Sequence, residues 1–218
     1  MAKKRPPPPK IADDPVFFRM FADQVRKGER RKLEIVRAAL EVLTEQGIHR
    51  TTYEAVAQKL GIGRSQVAYH FPTLQALFAL AIKYMIDTIQ SATIEHVEAA
   101  PDARGRVLAV FSAIYGWAER DPVRARALTL LYHLAGHDPY FRELHTGIRD
   151  AGQKRLGQLV IEYRAEWALR PRELASMCRV LQSLSLGSIA GVGAVERAED
   201  LIPSLEDVHN LVRYYIDK

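Results

Sequence analysis

Two short stretches of helical periodicity meet at Leu60-Gly61-Ile62-Gly63, and this corner constrains the fold more than any other feature of the 218 residues. Glycine supplies the backbone freedom that a sharp interhelical turn needs. Before the corner, Thr51 with Glu54 three residues later reads as a capping box that starts a helix. Val56, Ala57 and Leu60 then recur at helical spacing. After the corner, Val67 and Phe71 continue the apolar stripe, while Ile62 plugs the turn into the core. Arg64, Ser65, Gln66, Ala68 and Tyr69 fall mostly on the other, polar side. Pro72 ends the second helix, because the residue before a proline is biased away from helical geometry. The arrangement predicts a helix-turn-helix, whose second helix enters the DNA major groove.

An earlier amphipathic helix over 29–46 packs beneath this pair. Leu33, Val36, Leu40 and Leu43 form its stripe, Ile35, Ala39 and Val42 widen it, and Gly47 stops it. Charge points to the same partner. Up to Pro72 there are 14 Lys and Arg against 8 Asp and Glu, and beyond it 17 against 18. A phosphate binder needs its positive charge gathered at one end in this way. The residues expected to face double-stranded DNA are Thr51, Thr52, Arg64, Ser65, Gln66, Tyr69 and His70. Arg64 and Gln66 are the candidate base readers, since Arg pairs with guanine and Gln with adenine through two hydrogen bonds.

The pattern over 29–77 resembles the TetR family of bacterial transcriptional repressors. The resemblance rests on Ile35, Ala38, Ala39 and Gly47, then Thr51, Thr52, Val56 and Ala57, then Gly61 and Ile62, then His70, Phe71, Thr73 and Leu77, in order and at matching spacing. Three positions depart from the family pattern. Gly63 stands where the family has Ser, Ala68 where a phosphate-contacting Tyr is usual, and Leu74 where a phosphate-contacting Lys is usual. Tyr69, one residue later, and Arg64 or the N-terminal arm are the candidate substitutes. The resemblance implies an all-α protein with a DNA-binding head and a helical body for ligand binding and dimerisation. It divides the chain into an arm and extra helix at 1–28, a head at 29–75 and a body at 76–218.

The rest of the chain reads as helix throughout. Asp121-Pro122, Asp138-Pro139, Pro171 and Pro203-Ser204 mark helix starts, and no segment reads as a strand. The helix from Pro139 is expected to run through Trp167, the next from Pro171 to about Ala194, and the last from Leu205 to Ile216. The opening MAKKRPPPPK is a basic, Pro-rich arm, either a tail or a further DNA contact through Lys3, Lys4 and Arg5. Phe17, Phe18, Met20 and Phe21 suggest an extra amphipathic helix. No apolar run reaches the roughly 18–20 residues of a membrane span, and the single Cys178 fits a reducing cytoplasm.

Residues 180–195 carry no charge and are rich in Gly, Ala and Ser. The resemblance implies that the last two helices pair with their copies in a homodimer. That places Leu184, Gly187, Gly191, Leu205, Val208, Val212 and Tyr215 near the two-fold axis, and a dimer implies a palindromic operator. The family also implies a small apolar or aromatic effector in the body. Phe111, Tyr115, Trp117, Leu131, Tyr132, His133, Trp167 and Cys178 are the candidate lining, with ordinary core as the competing reading. His133 and His137 stand four apart, but Gly136 and Asp138-Pro139 are expected to break their helix and separate the rings, so no metal or other cofactor is expected. No nucleophile elbow or Gly-rich phosphate loop supports an enzyme. The function expected is a repressor released from DNA by an effector. The alternative is a DNA-binding factor without one, architectural or switched by a protein partner.

Overall fold

The computed structural model describes residues 27–192 and 202–217. The described residues form α1 (Lys27–Gln46), α2 (Tyr53–Leu60), α3 (Arg64–His70), α4 (Leu74–Ala99), α5 (Ala103–Arg120), α6 (Pro122–His137), α7 (Pro139–Tyr163), α8 (Pro171–Val192) and α9 (Ile202–Ile216). Two 3-10 turns, Ile48–Arg50 and Ala165–Leu169, interrupt the series, and there is no strand among these residues. The basic arm, the expected Phe-rich helix and the stretch 193–201 lie outside the described residues. No described helix is long and apolar enough to cross a membrane.

Local chemistry sets most of the boundaries. Gly61 ends α2 at φ +63°, and its N–H and that of Ile62 close on the carbonyls of Gln58 and Ala57; a left-handed residue of this kind ends a helix at little steric cost only when it is glycine. Thr73 caps α4 by accepting from the Ala76 N–H, Asp102 caps α5 by accepting from Gly105, and Asp138 caps α7 by accepting from Tyr140. Two expectations are corrected. The cap of α2 is Thr52, whose side chain accepts from the Ala55 N–H. Gly47, at φ +80°, sends the chain through the 3-10 turn, and Thr51 is drawn inward so that its hydroxyl donates to Gly47 O at 3.0 Å. The helix from Pro139 stops at Tyr163, because Arg164 takes an extended conformation and leaves Trp167 on the following 3-10 turn.

Two apolar clusters hold these helices. The first runs from Ile35, Val36, Val56 and Val67 in α1–α3 through Leu77, Ile82 and Met85 of α4 to Leu128 and Leu131 of α6, Leu144 of α7 and Ile189 of α8. The second gathers Val107, Phe111 and Tyr115 of α5, Val160 of α7, Trp167, Cys178 and Leu181, and Val208, Val212 and Ile216 of α9. Arg37 of α1 donates to the Tyr84 hydroxyl of α4 at 3.0 Å, and Gln75 of α4 donates to the Asp138 carboxylate at the α6–α7 corner at 2.7 Å.

Candidate nucleic-acid interface and body cavity

The α2–α3 corner presents one side of α3 to solvent. Val67 is fully buried against α1 and α2, which fixes the rotation of the helix and turns Arg64, Ser65 and Gln66 outward. Tyr69 is 83% exposed and packs edge-on to the half-buried His70, ring centroids 5.2 Å apart. The Tyr53 hydroxyl donates to Phe71 O at 2.6 Å, tying α2 to the end of α3. Burial of Tyr53 pushes its pKa up, a trend opposed by the nearby Arg64 guanidinium. Thr52 is exposed at the start of α2. Thr51 does not belong with this surface: it is 2% exposed and its hydroxyl is committed to Gly47. An interior hydroxyl cannot reach a phosphate.

Sequence reasoning missed part of this face. Arg30 and Arg31 of α1 border the same open groove as Ser65, Gln66, Tyr69 and His70. Both arginines share Glu34, Arg31 at 2.7 Å and Arg30 at 3.6 Å, so the trio keeps one net positive charge. The run Arg30-Arg31-Lys32 on the polar side of α1 was the available signal. No local rule links that side of α1 to α3, since the two meet only in the tertiary fold.

A cavity of about 140 Å³ lies in the body between α4, α5, α6, α7 and α8. Ile86, Ile89, Val110, Phe111, Ile114, Leu128, Leu131, Leu186 and Ile189 give it apolar walls. Tyr132, 40% exposed, lies on its rim and meets the His145 ring edge-on at 4.9 Å. Burial, with the nearby Arg149 charge, lowers the pKa of His145 and favours its neutral ring, against a smaller raising effect of Asp150. Polar lining comes from Gln90, Thr93, Arg149, Arg155, Gln182 and Ser185.

Of the expected lining, Phe111, Leu131 and Tyr132 meet at this cavity. Tyr115, Trp117, Trp167, Cys178 and His133 do not. Tyr115, Trp167 and Cys178 are buried in the second apolar cluster. Trp117 packs in the first cluster, its indole N–H directed at Thr88 Oγ1 at 3.2 Å. Burial raises the Cys178 thiol to about 11, which leaves it protonated and poorly reactive. His133 borders a separate surface depression with Leu43, Gly47 and His49. The His133 and His137 rings do come together, 5.0 Å apart, because α6 stays helical through Gly136 to His137. No group of three metal-binding side chains occurs among the described residues.

The expected two-fold surface divides in the same way. Leu184, Gly187 and Gly191 are exposed on α8 in line with Val180 at 46% exposure. A Cβ built at Gly187 or Gly191 meets no atom within 4 Å, so neither glycine is required by a contact within its own chain. Val208 and Val212, by contrast, are 2% and 0% exposed and face α5 and α8 of their own chain. Leu205 and Tyr215 are partly covered by the same cluster.

Residues 35–81 match the family model described as bacterial regulatory proteins, tetR family. Among curated proteins, the chain is 28% identical over 151 residues to the nucleoid occlusion factor SlmA of Photobacterium profundum, covering 68% of this chain and 71% of the relative. It is 27% identical over 168 residues to the HTH-type transcriptional regulator BetI of Burkholderia thailandensis, covering 75% and 84%. Among solved structures, a TetR transcription regulator from Haloarcula marismortui superposes with a TM-score of 0.72 at 17% identity, over 86% of this chain and 97% of the other. A transcriptional regulator from Saccharomonospora viridis in complex with choline gives a TM-score of 0.68 at 16% identity, over 86% and 96%. Identities this low carry the fold and not the ligand.

Proposed function

We propose that this chain is a TetR-family homodimeric repressor that leaves a palindromic operator when a small effector fills the body, a reading supported by the match of residues 35–81 to the tetR family model. The observation that carries the reading is the free face of α3. Arg64, Ser65, Gln66 and Tyr69 stand in solvent beside Arg30 and Arg31, on a helix whose rotation is fixed by a buried Val67. Arg64 and Gln66 read base edges, while Thr52, Tyr69, His70 and the two α1 arginines hold phosphates. The work divides between DNA binding at 29–75 and effector binding with dimerisation at 76–218.

Dimerisation runs through the exposed small-residue line of α8, where Gly187 and Gly191 let a second helix approach closely. The effector enters among α4–α8 and acts through the two elements that connect the cavity to the head. These are α4, whose start is tied to the α6–α7 corner by Gln75 and Asp138, and α6, which shares the first apolar cluster with α1. An effector shifts the head spacing only by binding one conformer better than the other.

The similarity to nucleoid occlusion factors supports a second reading, a DNA-binding factor that uses no small effector. Fluorescence anisotropy on DNA from the region flanking the gene, with and without candidate compounds, separates the two. Salt-sensitive, sequence-selective binding that a compound reverses supports the repressor. Selective binding that no compound changes supports the second reading, and non-selective binding removes both.

A further inference from the structure

We propose that the body cavity is built for an uncharged, ring-sized compound whose hydroxyl bridges Gln90 of α4 and His145 of α7. This rests on the effector reading above and names the chemistry of its ligand. Charge is the first constraint. Both guanidiniums of the lining are engaged within the chain, Arg149 with Asp150 at 2.9 Å and Arg155 with a partner of its own. No described Asp or Glu lines the cavity. A charged ligand of either sign would therefore lose its water without gaining a free counter-ion.

The polar groups of the wall narrow the class further. The Thr93 hydroxyl donates to Ile89 O, and the Ser185 hydroxyl donates to Leu181 O. The Gln182 amide donates to Arg149 O and its oxygen accepts from Gln153. Gln90, Tyr132 and His145 are left without a hydrogen-bond partner among the described residues. Tyr132 stands at the exposed rim, whereas Gln90 and His145 are half-buried. A purely apolar ligand closing over these two would exclude water from them and leave two polar groups unpaired, which is costly.

A hydroxyl answers both. It donates one hydrogen bond and accepts others, and a primary amide and a neutral imidazole also do each. Burial and the Arg149 charge favour the neutral ring of His145, against a smaller effect of Asp150, so the ring keeps a bare nitrogen that can accept. The Gln90 amide N–H can then donate to the same hydroxyl oxygen. An ether or ketone only accepts and leaves the imidazole nitrogen unserved. The Tyr132 ring, edge-on to His145 at 4.9 Å, holds the imidazole at the wall. Size completes the description. The cavity of about 140 Å³ is close to the roughly 150 Å³ of an engineered apolar cavity that admits benzene. One ring fits among Phe111, Leu131 and Ile189. A bond to Gln90 then puts the ligand in direct touch with α4, the helix that leads to the head.

The test is a set of probes of near-constant size, read by calorimetry on the full-length protein without DNA. m-Cresol and anisole are isomers, and only the cresol has an O–H; benzoate adds a charge to the same ring. m-Cresol is expected to bind about fivefold or more tightly than anisole, and benzoate more weakly than either. His145→Phe should weaken m-cresol by about three- to tenfold while leaving anisole within about twofold, and Gln90→Leu should weaken m-cresol likewise. If either variant does not fold, the series on the unaltered protein decides alone. Anisole binding as tightly as m-cresol overturns the hydroxyl assignment, and benzoate binding more tightly overturns the uncharged one; both leave the effector reading intact. An m-cresol affinity indifferent to both substitutions, or no binding of any probe, also overturns the proposal. The effector reading is judged separately, by release of operator DNA.

Discussion

Gln75, on the first turn of α4, donates a 2.7 Å hydrogen bond to Asp138, sixty-three residues later at the corner between α6 and α7. The same carboxylate caps α7 through its other oxygen, which accepts from the Tyr140 N–H at 2.8 Å. One side chain thus fixes both the direction of α7 and the start of the helix that leads out of the head. Gln75→Ala should cost about 1.5–3 kcal/mol, the range for a hydrogen bond to a charged acceptor. Urea unfolding of the variant against the parent measures it. An unchanged midpoint would mean that the two ends of this link are held by packing alone.

Gln66 is exposed on α3, and its side chain stands beside Ser65 and Tyr69 on the groove. Gln66→Ala should relax specificity at one operator position by about 1–3 kcal/mol. Anisotropy on operator and on scrambled DNA reads this as a loss confined to operator. Equal losses on both would make Gln66 a phosphate contact.

Gly63 caps α3 without a side chain, leaving the Gln66 N–H to the Gly63 carbonyl at 2.9 Å. Its φ of −74° is ordinary for any residue, and a Cβ there meets nothing nearer than Ser65 Oγ at 3.5 Å. Gly63→Ser adds a capping hydroxyl and narrows the unfolded ensemble, so stability should rise by about 0.5–1 kcal/mol. A lower melting point would show that the turn needs glycine for a reason beyond its backbone angles.

Gly187→Glu tests the two-fold surface. A Cβ at this position meets no atom within 4 Å, and glycine is the poorer helix former by about 1 kcal/mol. The variant should therefore fold with undiminished helix content yet sediment as a monomer at micromolar concentration. A dimer that survives the change would move the interface away from this line of α8.

His209 of α9 faces Ser112 Oγ at 3.0 Å. Burial and the Arg213 charge hold its pKa below the ordinary histidine value, against a raising hydrogen bond to the Leu108 backbone. Burial lowers His145 in the same direction. A depressed folded-state pKa means that the unfolded chain binds more protons as pH falls below about 6.5. The stability these neutral rings contribute is complete above that pH and is lost as pH drops through the folded-state values. The melting point should therefore decline from pH 7 toward pH 5, and His209→Gln should flatten part of the slope. Parallel slopes in parent and variant would remove His209 as a source.

Several helix starts were legible because their causes are local. Asp138, Pro122, Pro139 and Pro171 each act within one turn of the residue they cap or start. The direction of individual side chains was less so. Periodicity identifies an apolar stripe but not its neighbour, so Val208 and Val212 looked as suited to a partner chain as to α5. Aromatic residues at helical spacing fit either a cavity or a core, and Trp117 and Trp167 went to core. Thr51 was read as the cap because Glu54 stands three residues on, but the left-handed turn at Gly47 draws its hydroxyl inward and leaves the capping to Thr52. Gln90 and His145 drew no notice because their placement depends on five helices meeting around one cavity.

The first apolar cluster passes without interruption from Val36 and Val67 through Leu77 and Ile82 to Leu131 and Leu144. The division of labour between the two ends of this chain is therefore not a division of folding. A fragment cut after α3 would strand the undersides of α1–α3 in water, and a chimera joined at that point would set one parent's α1 against a foreign α4 and α6. Interchangeable heads require the seam to be moved, so that the contact surfaces of α4 and α6 travel with the DNA-reading helices they support. Modularity in this molecule belongs to a buried surface, not to a position along the chain.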